Sequence, residues 1–66
     1  MPLSIVAGTF RRREIRRWLQ SIGVYFYEDK GWLDSLFVVV AEPPMLRGIR
    51  KRLDEADVKN FTNPPS

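Results

Sequence analysis

The 66-residue chain has no cysteine and no histidine. Without cysteine there is no disulfide to brace a small domain, no thiolate nucleophile and no soft metal ligand. Without histidine the commonest general base at neutral pH is missing, and so are the usual zinc ligand sets. A Ser-His-Asp arrangement cannot be built. The four glycines, Gly8, Gly23, Gly31 and Gly48, stand alone, whereas phosphate loops need glycines at fixed spacing. The eight carboxylates are scattered, and some have a cation in reach; Arg50 and Asp54, four apart, can pair along a helix. No residue therefore qualifies as catalytic, cofactor-binding or metal-ligating. The expectation is a non-enzymatic protein with no cofactor and no small-molecule substrate.

Long apolar runs are also missing. The longest, Leu36 to Ala41, falls far short of the roughly 20 residues a membrane helix needs, so no membrane partner is expected. Leu3 to Ala7 is apolar, but the arginines follow it, the reverse of a secretory leader. Arg11-Arg12-Arg13 has no hydrophobic segment after it, which argues against twin-arginine export. These features point to a cytoplasmic protein, and the sequon Asn60-Phe61-Thr62 is then a chance match.

What the chain does have is a regular alternation of elements. Leu3 to Ala7 is β-branched and apolar and reads as a strand. Thr9 is an acceptable N-cap for a helix over Phe10 to Ile22, in which Ile15, Trp18, Leu19 and Ile22 share one face. Gly23 sits where a glycine ends a helix. Val24 to Glu28 reads as a second strand, Asp29-Lys30-Gly31 as a hairpin turn and Trp32 to Ala41 as a third strand. Pro43 and Pro44 suit the first turn of a second helix, whose apolar face is Met45, Leu46, Ile49, Leu53 and Ala56. Val58 to Phe61 can form a short fourth strand, and residues 63–66 read as a flexible tail after a single domain over residues 1–62.

Shifted by 34 residues the chain echoes itself: Val6, Ala7, Arg13, Ile15, Arg16, Leu19 and Val24 meet Val40, Ala41, Arg47, Ile49, Arg50, Leu53 and Val58. Two such strand–helix–strand halves describe an α+β fold, the ferredoxin-like βαββαβ plait: a four-stranded antiparallel sheet with two helices on one face. The expected strand order is 4-1-3-2. This resembles a fold rather than a family, and a fold of this kind hosts many functions. Its copper-carrier form needs paired cysteines after the first strand, where this chain has Gly8-Thr9-Phe10. Its RNA-recognition form needs aromatics on both central strands, and the first strand has none.

Charge geography is the most informative feature. The net charge is +3, and eight of the eleven cations are arginine. Residues 11–22 carry five arginines against Glu14, and residues 45–56 carry Arg47, Arg50, Lys51 and Arg52 against Asp54 and Glu55. At 100° per residue, Arg13, Arg16 and Arg17 fall on the outward half of the first helix and Arg47, Arg50 and Lys51 on that of the second. If the helices lie side by side, these six form one cationic surface suited to carboxylate or phosphate. The expected function is a protein-binding regulator or inhibitor, of the kind encoded by phages and mobile elements, that docks on an acidic protein surface. The alternatives are a nucleic-acid-binding module using the same arginines and a structural subunit of a larger assembly. Tyr25 and Tyr27, on one face of an edge strand, are a possible aromatic contact. Ile5, Val6, Phe37, Val38, Val39 and Val40 make both faces of the sheet centre apolar, which suggests a homodimer.

Overall fold

A computed structural model describes residues 2–62. The tail expected over residues 63–66 lies outside the described residues. The element order is β1 (Pro2–Gly8), α1 (Arg12–Ile22), β2 (Tyr25–Lys30), β3 (Asp34–Val40), α2 (Pro43–Glu55) and β4 (Asn60–Thr62). All strand pairs are antiparallel and the sheet order is β2-β3-β1-β4. The protein is thus an α+β domain of two helices and one four-stranded antiparallel sheet.

The local signals account for most boundaries. Gly23 ends α1 in the left-handed region at φ 74°, and its N–H donates to the Gln20 carbonyl at 3.2 Å. A glycine takes that conformation without a Cβ penalty. Prolines open α2 behind the extended residue Glu42, where their missing N–H costs nothing. Two boundaries differ from the sequence expectation. Thr9 does not cap α1; its hydroxyl donates to the Leu33 carbonyl across the end of the sheet. The helix starts at Arg12, with no side chain capping it. The hairpin turn also lies further on, because Lys30 pairs with Ser35 and extends β2. The turn is Gly31-Trp32-Leu33, closed by the Gly31 N–H on the Asp34 carbonyl at 2.7 Å. A Cβ at Gly31 would fall 2.8 Å from that carbonyl oxygen, so a side chain there would force the turn open. Gly48, by contrast, has open space around it.

Strand alternation decides what is inside. Leu3, Ile5 and Ala7 of β1 and Phe37 and Val39 of β3 point to one side. There they form a single buried cluster with Ile15 and Leu19 of α1 and Leu46, Ile49 and Leu53 of α2. Phe26 of β2 packs its ring against Phe37, with centroids 6.0 Å apart. Both helices therefore lie on this side of the sheet. Three residues expected in a self-association surface, Ile5, Phe37 and Val39, are fully buried here. The opposite side carries Val6, Leu36, Val38 and Val40, and no helix among the described residues covers it.

Candidate functional site

The helical layer is held together at one end by Arg11. Its Nη1 donates to the Ala56 carbonyl at 2.8 Å and reaches the Asp57 carbonyl at 3.5 Å. The start of α1 thus lies beside the end of α2, and the helices run antiparallel. A cation on those last carbonyls also complements the negative end of the α2 dipole. Sequence reasoning took Arg11 as one more surface charge. Its capping role had no local signal, because the partner carbonyls lie 45 residues away.

The six cations expected to share a surface are divided by the fold. Arg13 and Arg17 of α1 and Arg47 and Lys51 of α2 are exposed and face outward. Arg16 turns to the β2 edge, where it makes a two-bonded ion pair with Glu28: Nε to Oε1 at 2.6 Å and Nη2 to Oε2 at 2.8 Å. Arg50 is exposed and makes no such pair among the described residues. It shares a helix flank with Asp54, whose carboxylate accepts from the Asn60 amide of β4 at 2.9 Å. Among the described residues Arg16–Glu28 is the only ion pair, so the expected Arg50–Asp54 pair is not formed.

Between α1 and α2 lies a groove of about 310 Å³. Its floor is Ile15, Trp18, Leu53, Ala56 and Val58, and its charged rim is Arg11, Glu14 and Arg52. Ile15 and Trp18 come from α1 and Leu53 from α2, while Ala56 and Val58 follow the end of α2 and close that end of the cleft. The helical layer therefore offers a cleft with an apolar floor and a mixed charged rim; Arg17, Arg47 and Lys51 are exposed on the helices outside that lining, and Arg13 lies on the flank of Arg12 and Arg16. Trp18 and Ala56, expected on the apolar helix faces, are not core positions: Trp18 is half-buried, and Ala56, just past the end of α2, is exposed.

The Arg16–Glu28 pair has a pH signature. Chiefly through its hydrogen bonds, Arg16 holds the Glu28 carboxyl below its ordinary range, against the opposing effect of burial. The folded value is below the unfolded one, so the pair stabilises the fold fully above the unfolded carboxylate pKa of about 4.3. That contribution is lost as pH falls through the lowered folded value. The urea midpoint should therefore drop on acidification, and Glu28→Gln should flatten the drop while lowering the neutral-pH midpoint. An equal acid response in both proteins would assign the effect to other carboxylates.

On the uncovered side of the sheet, Tyr25 stands opposite Val40 and Tyr27 opposite Val38, while Phe61 of β4 stands opposite Ser4. Tyr25 and Tyr27 are 77% and 64% exposed. The two tyrosines and the valines Val6, Val38 and Val40, read from the sequence as separate features, are one continuous patch. The charged residues on this side are Asp29, Asp34 and, through its pairing beside Val6, Lys59.

Comparisons with known proteins identify no relative. No family model, no curated protein and no solved structure matches the chain.

Proposed function

We propose that the chain is a non-catalytic binding module with a ferredoxin-like plait, whose helical layer docks an acidic segment of a partner protein. The observation that carries this reading is the groove between α1 and α2, with its apolar floor and, at its rim, Arg11 and Arg52 beside Glu14. An apolar side chain of the partner fills the cleft over Trp18 and Leu53. Carboxylates on either side meet Arg52 at the rim and the exposed cations Arg13, Arg17, Arg47 and Lys51 outside it. Arginine is the cation of choice for such contacts, because its planar fork matches a carboxylate and is weakly hydrated. A purely phosphate-binding surface would gain nothing from an apolar cleft, which favours a protein partner over nucleic acid.

The test is a two-dimensional NMR titration with a synthetic peptide that alternates leucine with glutamate, and with a DNA duplex in parallel. Peptide-induced shifts should centre on Ile15, Trp18, Leu53 and Ala56. Shifts centred on Tyr25, Tyr27 and Val38 would overturn the assignment of the surface.

A second reading, self-association, rests on the uncovered patch of Val6, Tyr25, Tyr27, Val38, Val40 and Phe61. A sheet side this apolar is commonly an interface, and a domain this small gains stability from a partner. Sedimentation equilibrium at micromolar concentration should give twice the 7.7 kDa chain mass, and Tyr27→Glu with Val38→Lys should return it to the monomer. A wild-type monomer at high concentration would refute the dimer.

A further inference from the structure

One end of the molecule has features that neither the groove nor the sheet patch explains. Phe10 in the β1–α1 loop is 96% exposed, and Trp32 and Leu33 in the β2–β3 turn are 93% and 70% exposed. Side chains this bare make almost no contact with their own fold. They sit on two loop tips that are tied together. The Thr9 hydroxyl donates to the Leu33 carbonyl, and Arg12 Nη1 reaches the Gly31 carbonyl at 3.4 Å. The Gly31 turn, which tolerates no Cβ, fixes the projection of Trp32 and Leu33.

Directly behind these tips is a second cavity, of about 300 Å³, lined by Thr9, Arg12, Arg13, Arg16 and Lys30. Every charged residue of that lining is a cation. Arg16 is committed to Glu28, and Arg12 makes one long contact, while Arg13 and Lys30 have no partner among the described residues. The acids nearby are Glu28, held by Arg16, and Asp34, folded into the turn beside Gly31. Asp29 points to the other side of the sheet.

We propose that this end binds the surface of an anionic lipid bilayer. Phe10, Trp32 and Leu33 enter the boundary between headgroups and acyl chains, and the cavity of Arg12, Arg13 and Lys30 receives a lipid phosphate. Tryptophan and phenylalanine at that depth and cations at headgroup level are the pattern of interfacial binding. Each basic residue near an anionic leaflet contributes roughly a fivefold gain in partition. The convex shape favours a bilayer over a protein partner, because bare tips need a soft surface to enter, whereas a protein would have to offer a matching pocket for each. No helix among the described residues is long and apolar enough to cross a membrane, and contact of this kind needs none. The absence of a long apolar run in the sequence excludes spanning, not lying on the surface.

The test uses the full chain carrying Trp18→Phe, so that Trp32 is the only tryptophan and is excited selectively on the red side of tyrosine absorption, with its unbound emission as reference. Vesicles of phosphatidylcholine with about 30 mol % phosphatidylserine should move Trp32 emission to shorter wavelength and co-sediment the protein at least about tenfold better than phosphatidylcholine alone. Phe10→Ser with Leu33→Ser should lower that partition by about tenfold or more. Circular dichroism should stay unchanged, since neither side chain supports the fold. Arg13→Gln with Lys30→Gln should lower partition into anionic vesicles only. Four results would overturn the proposal: no emission change with anionic vesicles, equal partition into both vesicle types, partition indifferent to the substitutions, or an emission change that follows protein concentration without vesicles. NMR shifts at Arg13 and Lys30 with inorganic phosphate, without vesicle binding, would also overturn it and assign the cavity to a soluble phosphate compound.

Discussion

Phe37→Ala is expected to leave the protein largely unfolded at room temperature. Phe37 is fully buried at the centre of β3, opposite Ile5 on one side and Glu28 on the other, with the Phe26 ring packed on it. Truncating a buried phenylalanine costs about 3–5 kcal/mol, because the lost contacts are compounded by a cavity. At about 0.05–0.15 kcal/mol per residue, a chain of this length holds only about 3–10 kcal/mol in all. With no cysteine, no disulfide adds to that reserve, so one substitution removes much of it. Urea denaturation followed by circular dichroism, with an amide correlation spectrum at neutral pH, checks the result. A well-dispersed spectrum with a midpoint close to wild type would show that the core is not where the fold places it.

The same residue shows where the sequence ran out. Phe37-Val38-Val39-Val40 is apolar on both sides of the strand, so alternation separates Phe37 and Val39 from Val38 and Val40 without saying which pair meets the helices. That is settled only by where α1 and α2 dock, and it splits the expected self-association set in two. The elements themselves were legible because strand and helix periods differ, and because Gly23 and the Pro43-Pro44 pair mark boundaries. Thr9 was misread because its hydroxyl has a better acceptor in Leu33, a contact across the sheet end that no local pattern announces. The hairpin turn was placed too early for a related reason: Lys30 keeps its ladder pairing with Ser35, and the steric demand falls on Gly31.

The cationic surface was misjudged through symmetry. The 34-residue echo correctly relates Arg16 to Arg50 and Arg13 to Arg47. When equivalent positions lie on antiparallel helices placed side by side, flanks that match in the sequence face away from each other in space. Arg16 therefore meets β2 at one edge, Arg50 makes no such pair among the described residues, and only the outward-facing positions remain together. The inner flanks, which the echo also relates, face each other and make the groove. Its pairing of Trp18 with Arg52 gives the cleft one aromatic wall and one charged wall.

The second large effect concerns that surface. Arg13→Glu, Arg17→Glu and Arg52→Glu together reverse one cation on the rim of the cleft and two on the exposed side of α1. Exposed pairs each contribute up to about 1 kcal/mol, and reversing a charge counts the interaction twice. The triple variant should therefore bind an acidic partner segment at least about a hundredfold more weakly. Its fold should be preserved, since all three side chains are exposed and none carries a hydrogen bond to another element. A variant with native circular dichroism and undiminished affinity would remove these arginines from the account.

The most direct measurement of the central claim is the salt dependence of binding for two labelled probes, the leucine–glutamate peptide and a DNA duplex, each titrated with wild type and with the triple variant. Neutralising four to six phosphates releases condensed counterions. The duplex affinity would then fall by about two to three decades between 50 and 200 mM salt. Docking of a peptide whose apolar anchor sits in the groove is screened far less. The account predicts that the peptide binds more tightly than the duplex, that its affinity changes by less than about tenfold over that salt range, and that the triple reversal abolishes it. Tighter binding of the duplex with the steep salt slope, or peptide binding untouched by the reversal, would contradict it.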